Sequence, residues 1–232
     1  MKIDIWSDVR CPFCYIGKRK LEAGLEKFEF KDKVEIIWHS FQLDPSLKNQ
    51  PGKNVYDYLA EKKGQSRQWS VQMHEQVKQS AKQVGLTFNF DDAVIANSFD
   101  AHRLIQLAKS HQLGDAAEER LFKAHFTEGK NIGDYNTLIE LGIDIGLEKA
   151  VIEQMLASNM FAAEVRNDEN IAQSIGIRGV PFFVFNEQYS ISGAQPEDVF
   201  LKTLQQAWME YEKENEFTNT EINTYSIDDS SF

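Results

Sequence analysis

Cysteine and proline are scarce in this chain: two cysteines and five prolines in 232 residues. Two cysteines cannot build the disulfide framework of a small secreted scaffold. They also lie three positions apart, with no second cysteine pair and no histidine at a short ligand spacing, which argues against a zinc ribbon. His39, His74, His111 and His125 have no mutual spacing that demands a metal. Positive charge is in deficit as well. Against 36 Asp and Glu there are 25 Lys and Arg, a formal net charge of −11. That balance opposes a nucleic-acid backbone as partner, and the longest basic run, Lys18-Arg19-Lys20, reads as the solvated face of a helix. Long apolar runs are missing too. The strongest, Val180 to Phe185, is far too short to span a bilayer, so no membrane partner is expected. The first residues carry Asp4 and Asp8 and no continuous apolar segment, unlike a secretory leader, and the expectation is a cytoplasmic protein.

What is present is enough apolar material for a large core, 42% of residues with 16 Phe, 7 Tyr and 4 Trp. Both cysteines fall in Cys11-Pro12-Phe13-Cys14, after the alternating stretch Ile3 to Ser7 and before a helical pattern carrying Ile16, Leu21, Leu25 and Phe28. A thiolate at a helix start is stabilised by unpaired backbone N–H groups and the positive end of the helix dipole, so this placement points to redox chemistry. In that reading Cys11 attacks and Cys14, one turn inside the helix, resolves the mixed disulfide. Pro12 suits the first turn, where its missing N–H has no intrahelical partner. Inert buried thiols are the competing reading, and a reducing compartment favours a cycling pair over a structural disulfide.

Along the chain, a strand over 3–7, a helix over 12–28 and a strand over 34–41 begin an α/β unit. Pro45 and Pro51-Gly52 lead out of the sheet. From Val55 to Gly176 the patterns are helical: Trp69, Met73, Val77, Ala81 and Val84 ending at Gly85; Ala101 to Ala108; a helix capped by Asp115 that buries Leu121, Phe122 and Phe126; a short turn after Asp134; Leu147 to Leu156; and Phe161 to Gly176. Five or six helices are expected there. Val180 to Phe185 and Gln188 to Ser192 form an antiparallel hairpin, followed by a helix with Val199, Leu204, Trp208 and Tyr211. The acidic end contains Phe217, Tyr225 and Phe232, and reads either as flexible or as docked through those aromatics.

Four separated stretches, Cys11 to Gly17, Asn97 to Leu104, Gly179 to Phe183 and Ser192 to Gln195, together resemble the DsbA-like oxidoreductases of the FrnE type, over about residues 2 to 212. The same superfamily contains 2-hydroxychromene-2-carboxylate isomerases and kappa-class glutathione transferases, which generally present Ser where Cys11 stands. The resemblance implies an α/β thioredoxin-like fold with a large all-helical insertion: residues 1–44 and 177–216 as the thioredoxin-like domain, 45–176 as insertion and return helix, and 217–232 as acidic tail. It implies a cis bond at Val180-Pro181 facing the cysteines, with Val180 offering backbone groups to a substrate. Catalysis is expected at Cys11 and Cys14, supported by Pro12, Phe13, Val180 and Pro181. Candidate substrate-binding residues are Trp6, Arg10, Asn97, His102, Arg103, Gly193, Ala194 and Gln195, with Trp6, Tyr15 and Phe13 walling the cleft. No bound cofactor or metal is expected beyond the Cys11–Cys14 disulfide. Expected partners are protein or low-molecular-weight thiols and disulfides, glutathione as a co-substrate, and a second copy of the chain. Three functions stay open: a thiol-disulfide oxidoreductase, a glutathione-dependent isomerase or transferase, and a redox-responsive binding or holdase protein.

Overall fold

The computed structural model describes residues 1–225, with side chains through residue 214. Strand β1 (Lys2–Ser7) leads into helix α1 (Pro12–Glu26), and a 3-10 turn at Lys31–Lys33 precedes strand β2 (Glu35–Ser40). β1 and β2 pair in parallel, with Ile3 opposite Ile36 and Trp6 opposite His39. Strands β3 (Phe182–Phe185) and β4 (Tyr189–Ser192) return 140 or more residues later as an antiparallel hairpin, and β3 lies antiparallel to β1 with Phe183 opposite Ile5. The sheet order is β2-β1-β3-β4. The last helix, α9 (Glu197–Tyr225), packs against α1 through Phe200, which lies beside Gly24, where a side chain would meet its Cβ at 3.1 Å.

Between β2 and β3 stand α2 (Val55–Lys63), α3 (Arg67–Lys82), α4 (Phe99–Ser110), α5 (Gly114–Phe126), α6 (Tyr135–Asp144), α7 (Lys149–Leu156) and α8 (Ala162–Ser174). That is seven helices, more than the apolar stripes reveal. The one without a legible stripe is α2, which buries only Tyr56 and Ala60 and is set instead by its ends: Asn54 accepts from the Tyr56 N–H, and Gly64 takes the left-handed conformation. Asp134 caps α6 as its position suggests, accepting from the Thr137 N–H. Asp115 does not cap α5. It sits inside the first turn, and its carboxylate accepts from Trp38 Nε1 at 3.0 Å and Lys18 Nζ at 3.2 Å, tertiary partners that local sequence cannot announce. The expected 217–232 tail continues as α9 as far as Tyr225; any docking by Phe217, Tyr225 and Phe232 lies outside the described side chains.

Two large apolar cores result, beside a small cluster of Trp6, Ala172 and Ile177, and α1 belongs to both large ones. Leu21 joins Ile3, Ile5, Phe183, Phe185, Phe200 and Leu204 in the sheet core. Cys14, Tyr15 and Ile16 join Leu104, Ile105, Leu121 and Phe122 in the helical core. This is a thioredoxin-like α/β core with a large helical insertion, and the start of α1 stands at the seam between them. Among the described residues no helix is long and apolar enough to cross a membrane.

Candidate active site

The cysteines are positioned by the turn that ends β1. The Cys11 N–H donates to the Asp8 carbonyl at 2.8 Å, and Cys11 takes an extended conformation at the cap of α1, with Pro12 in the first turn. Because Cys11 lacks a side-chain capping bond, its sulfur is free of the helix and lies 3.5 Å from the carbonyl oxygen of Val180, toward which the thiol donates. Cys14 follows one turn later, with its N–H on the Cys11 carbonyl at 3.0 Å. Both are free thiols and buried, whereas Phe13 between them is 45% exposed. Burial pushes the Cys14 thiol well above its ordinary value, and the neighbouring Cys11 adds to this. The Ser7 hydroxyl and the Asp8 N–H act in the opposite direction. A thiol that resists ionisation beside a shallower one is suited to a second, internal displacement.

The Val180-Pro181 bond is cis. The Pro181 carbonyl accepts from the Gly193 N–H at 2.8 Å, which fastens the Gly193-Ala194-Gln195 loop beside it; Gly193 has φ +79, a conformation other residues rarely adopt. Gly17 makes the approach of α1 to this loop feasible. A Cβ there would lie 3.0 Å from Pro181 Cγ, 3.2 Å from Phe183 Cζ and 3.6 Å from Ala194 Cβ. Lys20, one turn on, donates to the Ala194 carbonyl at 2.8 Å. Cys11, Val180, Pro181, Gly193 and Ala194 are thus brought together, whereas the Gln195 amide turns back on the Ser192 carbonyl at 2.9 Å.

Other sequence candidates are engaged in holding the fold. Trp6 is 4% exposed, stacks on His39 at 4.4 Å and donates from Nε1 to the Asp168 carbonyl. Tyr15 stacks on Phe122 inside the helical core, and its hydroxyl donates to Glu119 at 2.6 Å. Asn97 links three segments: its amide donates to the Leu47 carbonyl at 2.8 Å, and its oxygen accepts from Phe99 N–H and Gln42 Nε2. Arg103 is buried, its guanidinium donating to the carbonyls of Met155, Ser158 and Met160 at the end of α7 and pairing with Asp100. Arg10 remains beside Cys11 with its backbone N–H on Asp8 Oδ1.

His102 lies beneath the active-site turn. With Asp8 it forms a fully buried ion pair at 3.5 Å, joined by Glu118 and His125 from α5, both buried. Burial pushes the Glu118 carboxyl up to about 8, and its Oε2 has no hydrogen-bond partner among the described residues. Burial also lowers His125 to about 4, with Arg10 assisting. Sequence reading missed Asp8, Glu118 and Gly17. The only signal was position: an acid three residues before the first cysteine and a glycine three after the second.

Residues 2–205 match the DSBA-like thioredoxin domain. A probable DsbA oxidoreductase from Streptomyces coelicolor, SCO1869, is 36% identical, and its crystal structure superposes with a TM-score of 0.85 over 90% of this chain and 91% of that one. YwbO of Bacillus subtilis (strain 168), an uncharacterized protein, is 30% identical over 204 residues, 87% of this chain and 94% of its own. The cytosolic disulfide reductase DsbM from Pseudomonas aeruginosa, solved with GSH, shares the fold at 20% identity, with a TM-score of 0.62 over 89% of this chain and all of that one. The chain therefore belongs to the DSBA-like thioredoxin domain family, and its close Cys11–Cys14 pair carries the thiol-based oxidoreductase chemistry of that family.

Proposed function

We propose that this is a thiol-disulfide oxidoreductase of the FrnE type that cycles Cys11 and Cys14 between dithiol and disulfide on protein or small-molecule disulfides. The observation that carries it is the Cys11 sulfur 3.5 Å from the Val180 carbonyl, with Cys14 buried one turn behind. An extended substrate laid along Val180 uses that residue's backbone as an added strand would, which presents its disulfide to Cys11. The Cys11 thiolate displaces one substrate sulfur, which leaves as a thiolate with the bonding electron pair. Cys14 then gives up its proton and attacks Cys11; the Cys11–Cys14 bond forms as the mixed disulfide breaks, and the second product leaves as a thiol. The reverse sequence oxidises a dithiol.

Glutathione is the co-substrate we favour for closing the cycle, and the cytoplasm the compartment, readings supported by the cytosolic DsbM and its GSH complex. Mass spectrometry of trapped adducts tests the division of labour. Cys11→Ser should lose exchange, and Cys14→Ala should accumulate mixed disulfides on Cys11. Unchanged turnover in Cys14→Ala would overturn the two-cysteine cycle and favour glutathione-dependent isomerase or transferase chemistry. Titration calorimetry with reduced and oxidised glutathione reports the co-substrate directly.

A further inference from the structure

The redox site is assembled from three segments, and three cations without an acidic partner among the described residues stand on or against them. The chain has seven arginines. Among the described residues Arg19, Arg67, Arg103, Arg120 and Arg166 each form an ion pair with Asp or Glu. The two that form none among the described residues are Arg10 and Arg178. Arg10 immediately precedes Cys11; Arg178 is exposed and stands two residues before Val180, whose carbonyl meets the Cys11 sulfur. The third cation is Lys20, whose ammonium sits on the Ala194 carbonyl, in the loop fastened to Pro181.

The carboxylates whose field reaches Arg10 do not neutralise it, because they are already engaged. Asp8 accepts the backbone N–H groups of Arg10 and Leu43 and faces His102. Asp44 is paired with Lys62 at 2.6 Å and accepts from the Ser46 hydroxyl. In a chain of net charge −11, three cations without an acidic partner on the segments that frame Cys11 and Val180 make a local field opposite in sign to that of the whole protein. Two of them are arginines, whose planar fork matches a carboxylate with two parallel hydrogen bonds.

We infer that the site selects disulfides whose substituents carry carboxylates, received by Arg10 and Arg178 on either side of Cys11, with Lys20 adding to the field. This rests on Cys11 being the attacking thiol. The step is one displacement: the Cys11 thiolate forms a bond to one sulfur, the substrate S–S bond breaks, and the other half leaves as an anionic thiolate carrying the electron pair. Its carboxylates and the new thiolate both lie in a positive field, so encounter and departure of charge are favoured together.

The test measures mixed-disulfide formation in Cys14→Ala protein with three probes: oxidised glutathione, which bears carboxylates; bis(2-hydroxyethyl) disulfide, which is neutral; and cystamine, which is cationic. The readout is the ratio of the glutathione rate to the neutral-probe rate within each protein, which cancels any change in Cys11 reactivity. In Arg10→Gln/Arg178→Gln that ratio should fall on the order of tenfold and the cystamine ratio should rise, and about 0.5 M salt should compress both ratios in the parent. Should the double variant not fold, Arg178→Gln alone gives the same direction with a smaller change. Ratios equal in parent and variant overturn the charge selectivity while leaving Cys11 as the nucleophile. Failure of the parent to react with all three probes overturns the thiol reading itself, and this inference with it.

Discussion

His102 Nε2 lies 3.5 Å from Asp8 Oδ1, and neither side chain has any exposure to solvent. Asp8 also accepts the N–H groups of Arg10 and Leu43, so one carboxylate joins the turn before Cys11, the segment after β2 and helix α4. Burial opposes both charges, but their attraction outweighs it: Asp8 is lowered from 3.8 and His102 raised from 6.5.

The sign of the pH dependence follows from those directions. The Asp8 contribution is present above its unfolded value and is lost as pH falls through the lowered folded one; the His102 contribution is complete below 6.5 and is lost as pH rises through the raised folded one. The pair therefore contributes most between about pH 4 and 6.5. His102→Asn, which leaves Asp8 with a buried unpaired charge, should cost about 3–5 kcal/mol in urea unfolding at pH 5.5. The deficit should shrink at pH 9. An equal deficit at both pH values would show that the pair is not ionised.

At Glu118 burial outweighs the neighbouring charges. Burial raises its carboxyl from 4.5 to about 8, with Asp115 and Asp8 adding to the rise and His102 and Lys18 opposing it. The folded protein holds this proton more tightly than the unfolded chain, so stability is full below 4.5 and declines until the pH passes about 8. At about 1.4 kcal/mol per pH unit over the rise from 4.5 to about 8, the total is on the order of 5 kcal/mol. Glu118→Gln removes the titration, and its stability should decline less than that of the parent between pH 5 and 9. Parallel stability curves for parent and variant would refute a raised Glu118.

Gly17 is the steric condition for the active-site loops. Gly17→Ala places a methyl 3.0 Å from Pro181 Cγ and 3.2 Å from Phe183 Cζ, with Ala194 Cβ at 3.6 Å, so ring, sheet or loop must yield. Overpacking of this kind costs about 1–3 kcal/mol. Because the contacts are to Pro181 and Ala194, disulfide exchange should slow as well. Gly52→Ala, where a Cβ meets nothing within 4 Å, serves as the control. Exchange by Gly17→Ala at the parent rate, measured with the neutral disulfide, would remove the claimed link.

Much of the fold was legible because its signals act over a few residues. Alternating Ile3 and Ile5, the helical turn after Asp134, the stop after α3 and the Cys11–Cys14 spacing at a helix start are each local, and all appear in the structure. Helix α2 escaped because its exposed faces leave no apolar period; only its capping residues mark it.

The surroundings of the cysteines were settled by tertiary structure. Asn97, His102 and Arg103 stand together in sequence, yet one ties loops, one pairs with Asp8 under the cysteines and one holds the end of α7. A polar side chain has the same local signature whether its partner is a substrate, a distant carboxylate or a backbone carbonyl. Sequence by itself determined which residues can ionise, donate or fit a turn. Only tertiary packing decided which of them lost water and beside which partner: loss of water raises the Glu118 carboxyl, whereas at Asp8 and His102 their mutual attraction overcomes it.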